Sequence, residues 1–537
     1  MICKKILLTG LYLFLVGQLP LYAQQPADSF NVKSYGALGD GQTLDTKSFV
    51  STIAACVKAG GGTVYVPNGK FVIGTVQLFS NIHLLLSPGA VLVASPDNNN
   101  FLQQKDFGFS GSGASDKLGL LFADHAENVS ITGFGAIDGN SQAFMYQDGV
   151  QANGDDLSHT RQGKAYLDAP KGNREAPVMW KGDNSRRPGT QIIFHACKKV
   201  TVSEITIRNA NDWSMDIKES DDVKVLGITI DNDQRVPNSD GVDMYDSKNV
   251  IIADCDIRAG DDCIADIGSS NITVTNCNLA SRSCGIRIGY NVFNDNDSGN
   301  LLFNNIRISG ANRGIGIFQR RKGNMTNMLF SNIIVDSRLY PGQWWGHGEP
   351  VHISALPGMG YKEVGTISNV RFTNIIAKGE EGIVLIGSKE STLTDITFEN
   401  VQLTISRGAF TDINAGNFDL RPTNDAKTNL FKHDIPAIYA SKVDDLTIKD
   451  FKISWDSSLS GYFTNALFCE HFNHMVIDGL TASTGPKAAT GEAVVSLHHG
   501  NDVSIANLEL RPKEGTPAGA SKRLLLFKEN VTGLVQK

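Results

Sequence analysis

The sequence predicts an all-β fold, a right-handed parallel β-helix with a short capping helix at its N-terminal end. Three observations predict it. One phrase recurs every 22 to 29 residues, its apolar residues alternate with period two, and Gly, Asn or Asp stands at its junctions. Period-two alternation is typical of strands, and a repeat of this size is typical of a solenoid, in which each unit contacts only its neighbours.

The recurring phrase begins at about residue 198. It reads KKVTVSEITI, DDVKVLGITI, KNVIIADCDI and SNITVTNCNL in its first copies. The equivalent apolar positions are Val200, Val223, Val250, Ile272, Leu301 and Met328. Little helix fits between copies, which excludes a leucine-rich repeat, and a closed antiparallel barrel would not repeat one phrase so regularly.

The first 23 residues resemble a secretory signal. A basic pair, Lys4 and Lys5, precedes an apolar run at 6–16, and Ala23 precedes polar sequence. The run is too short to span a membrane. We therefore expect export to the periplasm or the extracellular space, no membrane span, and one mature catalytic domain over residues 24–537.

Both the N-terminal end and three insertions depart from the repeat. Residues 29–95 are expected to form the N-terminal cap, including a helix over 45–58 capped by Asp45 or Thr46. Polar insertions at about 96–120, 140–190 and 405–435 interrupt the period. Long loops on one side of a solenoid usually shape a binding cleft.

Composition excludes several classes of function. The formal net charge is −7 and no basic stripe is visible, so nucleic acid is not an expected partner. The cysteines have no disulfide-framework spacing and no zinc-ligand spacing, so buried free thiols are expected. No cofactor and no metal are predicted, and a monomer is expected.

Three aspartates are the candidate catalytic residues. Asp240 lies in NSDGVDMYD, and Asp261 and Asp262 follow it in AGDDCIAD by 21 and 22 residues. That separation is about one coil, so the three carboxylates should converge on one face. Like charges brought together raise at least one pKa, as acid–base hydrolysis of a glycosidic bond requires. Solvated turn aspartates are the alternative interpretation.

At these residues the sequence resembles glycoside hydrolase family 28, the polygalacturonase family. The resemblance extends from about residue 29 to at least 402. It includes FNVKSYGALGDGQTLDTKSF, GFGAIDGN at 133–140, the N-x-D motif at Asn238 and Asp240, and the G-D-D motif at Asp261 and Asp262. The resemblance implies an inverting hydrolase in which Asp261 is the general acid, while Asp240 and Asp262 hold and deprotonate the water. Asn238 would contact substrate.

Two family motifs are missing. Cys284 stands where the family has the His of G-H-G, and Gly316 and Phe318 stand where it has the cations of R-I-K. Arg287 and Arg313 lie nearby and are candidate partners for a sugar carboxylate. Cys284 is interpreted as a small residue of the cleft wall that contacts substrate, rather than as a nucleophile.

A Trp-rich segment, PGQWWGHGEPVHIS at 341–354, interrupts one coil. Trp344 and Trp345 are candidates for stacking on sugar rings, and His347 and Glu349 for bonding hydroxyls or replacing the missing His. A hydrophobic plug beneath a loop is the alternative interpretation.

The predicted activity is hydrolysis of an α-glycosidic bond in an acidic, pectin-like polysaccharide or oligosaccharide that is derived from galacturonate or rhamnogalacturonan. The insertions favour exo action. Two alternatives stay open: a β-helix polysaccharide lyase that uses Ca²⁺ and an Arg base, and a non-catalytic glycan-binding solenoid.

Overall fold

The computed structural model describes residues 29–146, 178–181, 187–290, 295–340, 345–358, 360–411, 416–423, 429–489, 492–511 and 526–536. The predicted signal segment lies outside the described residues, as does most of the 140–190 insertion. Within them, no helix is long and apolar enough to cross a membrane.

The chain folds as the predicted right-handed parallel β-helix, with 34 strands in one continuous hydrogen-bonded system. Three parallel ladders of strands make it up. We call the first ladder the cleft sheet. Its strands are Val76–Leu78, Leu121–Asp124, Ile192–His195, Met215–Lys218, Val242–Tyr245, Ile264–Ile267, Cys284–Gly289, Arg313–Gln319, Glu349–Ala355, Ile383–Ile386, Ile438–Trp455, Leu467–Ser483, Val495–Ala506 and Leu526–Gln536.

The other two ladders complete each coil and merge in the longer strands. The second contains Ser29–Asn31, Gly62–Val66, Ile82–Leu86, Glu127–Gly133, Lys198–Ser203, Asp221–Leu226, Lys248–Ala253, Ser270–Ala280, Ser298–Ala311, Met325–Ser337, Ile367–Gly379 and Leu393–Ile405. The third contains Asp40–Leu44, Gly69–Ile73, Ala90–Ala94, Ala136–Asp138, Thr206–Arg208, Thr229–Asp231, Asp256–Arg258 and Glu509–Arg511. Two separate pairs are Met145–Tyr146 with Met179–Trp180 and Asn417–Asp419 with Leu430–Lys432.

The observed register confirms the predicted repeat. The six apolar positions that recur in the sequence pair rung by rung, from Val200 with Val223 to Leu301 with Met328. All six are buried in a single core that runs the length of the solenoid. Inside it Phe303, Phe330 and Phe372 stack at 4.8 to 4.9 Å, continuing one repeated position into an aromatic column.

The Asn residue of the recurring phrase has a structural reason. Asn271, Asn300 and Asn327 all adopt left-handed backbone angles, with φ near 57°. Asn tolerates this conformation better than most residues. Each side-chain amide donates to the amide oxygen of the Asn one coil earlier, at 3.0 to 3.2 Å. A ladder of amides therefore fixes the turn of each coil.

The predicted capping helix is present at Thr46–Lys58 and packs against Ser29–Asn31 and Gly62–Val66. Its buried face consists of Phe49, Thr52, Ile53 and Cys56, while Val50 and Val57 are exposed. Asp45 does not cap the helix with its side chain. Its carboxylate accepts instead from the N–H groups of Leu38 and Gly39, at 2.8 and 3.0 Å. The remaining helices are short: Val32–Tyr35, Asn98–Asn100, Gln104–Phe107 and Ser141–Phe144.

Candidate active site

The three predicted carboxylates lie just before two neighbouring strands of the cleft sheet. Asp240 stands two residues before Val242 and Asp262 two residues before Ile264, and Val242 pairs with Ile264. One carboxylate oxygen from each of Asp240, Asp261 and Asp262 lies within 4.8 Å of the others. The convergence that the one-coil spacing predicts is therefore confirmed.

Burial distinguishes these groups from solvated turn aspartates. Asp240 is 3% and Asp262 is 5% exposed, and Asp261 is half-buried. Desolvation, helped by the charges of Asp243, Asp261 and Asp262, raises the pKa of Asp240 well above its ordinary value. Burial and the neighbouring charge of Asp262 raise the pKa of Asp261 to about 7. The cluster therefore holds protons that isolated aspartates would lose.

Asp262 is held by a cation and two donors. The Nε of Arg287 pairs with its Oδ2, and both side chains are buried. The Ser283 hydroxyl and the Cys284 N–H donate to its Oδ1 at 3.0 and 3.1 Å. Charge-assisted bonds of this kind favour the ionised carboxylate. Asp262 is therefore the member of the trio that is best prepared to carry a negative charge.

Arg287 uses its other nitrogens within the protein. Its Nη1 donates to the Gly289 carbonyl at 2.8 Å, and its Nη2 lies 3.6 Å from Asp243 Oδ1. Burial opposes its charge, but Asp262 and the other acids raise the pKa of Arg287 well above its ordinary value. The predicted cleft position is observed, but its contacts commit the guanidinium to the acid cluster rather than to a sugar carboxylate.

Asp243 is a site residue that the sequence analysis missed. It follows Val242 on the strand and points outward beneath the cleft, between Asp216 and Ala265 of the adjacent coils. It is fully buried, and desolvation raises its pKa well above the ordinary value although Arg287 opposes this. Period-two alternation on the strand Val242–Tyr245 places Asp243 on the outer face, because Val242 and Met244 face the core, and this was the available signal.

Asp261 is oriented from the coil before it. The backbone N–H of Asn238 donates to Asp261 Oδ2 at 3.2 Å. Asn238 adopts a left-handed backbone conformation, with φ of 56°, which Asn tolerates. Its side chain lines the cleft, where it was predicted.

The cleft above these residues has a volume of about 390 Å³. Acidic, cationic and aromatic side chains all line it. The lining comprises Trp213, Pro237, Asn238, Asp240, Tyr245, Asp261, Asp262, Ser283, Cys284, Arg287, Tyr290, Arg313, Phe318, Trp345, Arg421 and Pro422. This size suits one or two sugar rings.

Aromatic rings form the cleft walls. Trp213 stacks on Tyr245 at 5.4 Å, and Tyr290 meets Trp345 edge-on at 5.1 Å. Trp345 is half-buried and lines the cleft, as its predicted sugar-stacking role requires. Trp344 lies outside the described residues.

The expectation that His347 and Glu349 reach the cleft is wrong for this conformation. Both are fully buried behind its wall. Glu349 Oε1 lies 3.4 Å from Arg313 Nε and 3.3 Å from His352 Nδ1, while His347 Nδ1 lies 3.2 Å from the Asn417 carbonyl. Arginine at this cleft position needs a buried counter-charge, and Glu349 supplies it.

Arg313 lines the cleft as predicted, but it also belongs to this buried network. Its Nη2 donates to the carbonyl of Asp419, and its Nη1 donates to the carbonyl of Arg421 at 3.3 Å. Burial opposes its charge, but Glu349 and Asp419 raise the pKa of Arg313. Arg313 therefore ties the cleft sheet to the 405–435 insertion.

The 405–435 insertion supplies cleft residues, as the prediction for long loops requires, but no residue within it was singled out. Arg421 and Pro422 follow the strand Asn417–Asp419 and line the cleft. Arg421 binds Asp419 through two bonds, at 2.9 and 2.5 Å. Only the fold brings this segment beside Arg313, across more than one hundred residues of sequence.

Phe318 occupies the place of one missing family cation. Its ring lies 5.0 Å from the guanidinium of Arg313 and 5.3 Å from that of Arg320. A Cβ on Gly316 would come within 2.3 Å of this ring. Gly316 and Phe318 are therefore a matched pair, and positive charge reaches this part of the cleft from flanking arginines instead.

Cys284 lines the cleft and is 4% exposed. Burial, together with the charge of Asp262, raises the pKa of its thiol well above the ordinary value. A neutral thiol is a poor nucleophile, which agrees with its interpretation as a wall residue. The seven described cysteines are all buried and free.

Two groups of described residues have ligand atoms close enough to hold a metal ion. One is the catalytic trio, and the other is Asp124, His125 and His195. Arg287 already supplies a cation beside the trio, so its charge does not require a metal for compensation.

Comparison with known proteins extends this picture. The family model described as glycosyl hydrolases family 28 matches residues 158–419, which include every residue named in the trio. Residues 158–419 of this chain belong to glycosyl hydrolase family 28. A second model, rhamnogalacturonase A/epimerase, pectate lyase-like, matches residues 29–147 of this family 28 protein.

Among curated relatives, a probable polygalacturonase of Vitis vinifera is 32% identical over 247 residues, 44% of this chain and 44% of that protein. A polygalacturonase of Chamaecyparis obtusa is 31% identical over 46% of this chain and 42% of that protein. The family 28 chain thus spans less than half the length of these relatives.

Two solved structures share the fold. A family 28 exopolygalacturonase of Yersinia enterocolitica has a TM-score of 0.58 at 17% identity, covering 94% of this chain and 78% of that one. A hyperthermoactive exopolygalacturonase of Thermotoga maritima has a TM-score of 0.52 at 22% identity, covering 71% and 88%.

Proposed function

We propose that this family 28 protein is an exported glycoside hydrolase that cleaves an α-linkage beside an acidic, galacturonate-type sugar by single displacement with inversion. The observation that carries the proposal is the convergence of Asp240, Asp261 and Asp262 within 4.8 Å, each with different partners. The polygalacturonase relatives support the reaction class.

The roles follow from the partners. Asp261, with a pKa of about 7, keeps a proton near neutrality and donates it to the leaving oxygen. Asp262, held against the guanidinium of Arg287, takes the proton of the attacking water. Asp240 shares protons with both and holds that water in place.

An acidic substrate is supported by the arginines in the cleft lining. Arg313 and Arg421 line the cleft and pair with Glu349 and Asp419. Guanidinium groups beside a sugar-binding cleft suit a bound carboxylate. Trp345 and Tyr290 offer apolar surface to the sugar ring itself.

Exo action is supported by the wall that the 405–435 insertion contributes to the cleft. The hairpin of Asn417–Asp419 and Leu430–Lys432 stands over the cleft sheet there and carries Arg421 and Pro422 into the lining. A chain terminus fits against such a wall better than the middle of a polymer. Both fold neighbours named above are exopolygalacturonases.

The stereochemistry has a direct test. The trio is tighter than the ~6.5–9.5 Å that separates the two carboxyl groups in most inverting glycosidases, so the decisive measurement is the product anomer. We expect proton NMR of freshly cut saturated galacturonate oligomers to report the inverted anomer first. Retention would overturn the single-displacement mechanism, and an unsaturated, ultraviolet-absorbing product would favour the lyase.

A variant separates catalysis from binding. We expect Asp261→Asn to lower kcat by about 10²- to 10⁴-fold with little change in KM, because a general acid is lost while the cleft keeps its shape. Asp336→Asn, an exposed aspartate on the second ladder, is the matched control. Full activity of Asp261→Asn would contradict the proposed mechanism. A glycan that binds to the wild-type protein but is not cleaved would favour the non-catalytic solenoid.

A further inference from the structure

A second cluster of functional side chains lies on the outer side of the cleft sheet, towards its N-terminal end. Asp124 pairs with His195, His195 with Lys218, and Lys218 with Tyr245 of the cleft lining. At ~4.8 Å per coil, His195 is about 10 Å and Asp124 about 14 Å from Tyr245. The proposed hydrolysis does not use it.

Two imidazoles there converge on one carboxylate oxygen. The Nδ1 of His195 lies 2.7 Å and the Nδ1 of His125 lies 2.8 Å from Oδ1 of Asp124. The side chains of His195 and Asp124 are 11% and 19% exposed, while that of His125 is 72% exposed. Two potential ligands are thus held within the fold, and the third lies at the surface where an ion would enter.

The buried ring is fixed in orientation. Phe109, from the 96–120 insertion, stacks on His195 at 4.7 Å. Glu219 Oε1 lies 3.9 Å from the other ring nitrogen of His195. A carboxylate bonded to the second histidine nitrogen is common in metal sites, but 3.9 Å is too long for a hydrogen bond, so the Phe109 ring is what orients His195. The Nδ1 of His195 therefore faces Asp124 and His125.

The donor set selects the class of ion. We propose that Asp124, His125 and His195 form a binding site for a divalent transition-metal ion of the Zn²⁺ class, separate from the catalytic carboxylates. Two imidazole nitrogens and one carboxylate oxygen suit Zn²⁺, whereas Ca²⁺ and Mg²⁺ prefer oxygens alone. A tetrahedral ion spaces its ligand atoms by ~3.3 Å, so both histidine nitrogens would move away from Asp124 Oδ1 by about 0.5 to 0.6 Å.

The test uses the purified full chain after chelator treatment, titrated with Co²⁺ as a spectroscopic probe and with Zn²⁺ in competition. We expect one Co²⁺ per chain, with visible absorption bands typical of a nitrogen-ligated site, and displacement by Zn²⁺. His125→Ala should weaken Co²⁺ affinity by at least about tenfold and keep the wild-type melting temperature, because this side chain is largely exposed.

His474→Ala is the matched control. His474 Nδ1 also lies beside a carboxylate, 3.2 Å from Asp445 Oδ1, but among the described residues no second imidazole joins that pair to make a ligand cluster. We expect His474→Ala to bind Co²⁺ like wild type. Equal Co²⁺ affinity of wild type and His125→Ala, or an equal loss in His474→Ala, would overturn the proposal. Binding is measured without substrate, so the result is independent of the proposed hydrolysis.

Discussion

The guanidinium of Arg287 lies against the carboxylate of Asp262, with Nε paired to Oδ2 in a buried contact. Cys284 stands at the position where family 28 is expected to place a histidine beside its acids. The cation therefore comes from three residues further along the same strand, and Asp243 supports it from the neighbouring side. The chain has kept positive charge at the acids while changing the residue that supplies it.

We expect Arg287→Met to lower kcat by about 10²-fold with a much smaller change in KM, because Asp262 would lose its buried cationic partner. Initial rates on galacturonate oligomers measure this. Arg287→Lys should recover part of the loss, since it restores the charge without the planar fork. If Arg287→Met raised KM and left kcat unchanged, Arg287 would instead be a substrate-binding residue.

Replacing Asp243 should change the pH dependence. Asp243→Asn removes a like charge beside Asp240, so the pKa of Asp240 falls and the low-pH limb of kcat moves to lower pH. Asp216→Asn, one coil further away on the same ladder, should leave the limb unchanged. If the low-pH limb of kcat moved equally in both variants, its position would depend on burial of acids in general rather than on the proximity of Asp243 to Arg287 and Asp240.

The high-pH limb reports the acid. Because Asp261 must be protonated to donate and its pKa is about 7, kcat should decline as pH rises past about 7. A pH series from about 4 to 9 at constant ionic strength measures it. Activity that still rises at pH 9 would be the behaviour of a lyase with a deprotonated base.

Asp266 should make the fold less stable as pH rises. It points into the core between Met244 and Ile288, accepts from Ser298 Oγ at 2.9 Å, and has a pKa raised by burial to about 6. A raised folded-state pKa contributes stability that is present below about pH 4 and is lost as pH passes about 6.

We therefore expect Asp266→Asn to flatten the fall in the free energy of unfolding between about pH 4 and 6, and to exceed wild type by on the order of 2 kcal/mol near pH 7. Chemical denaturation at several pH values measures both. Asp336→Asn, whose side chain is exposed, should follow the wild-type curve. If the free energy of unfolding of Asp266→Asn fell with pH in parallel with that of wild type, Asp266 would not be the titrating group.

Much of the fold follows from local pattern. Alternation, the Asn turns and the repeat spacing predict the rungs, and the pairing of Val250 with Ile272 is the expected one. The same arithmetic brings Asp240 beside Asp262, because one coil of separation in sequence is one rung in space. The capping helix is predicted, but its buried face is not, since Val50 and Phe49 are equally apolar.

The sequence by itself determined the coil and the convergence of the carboxylate trio, because both depend on the spacing between neighbouring rungs. The loss of two family motifs is visible directly in the residues at those positions. Tertiary structure alone decided the partners. It buried His347 and Glu349 behind the wall, assigned Arg287 to the acids, and brought Arg421 to Arg313 from 108 residues away. The positions of His347, Glu349 and Arg421 depend on how insertions fold back over the cleft sheet, which has no period in the sequence. Arg287 and Asp262 lie on neighbouring rungs, but the direction of the arginine side chain is decided only by its contacts in the fold.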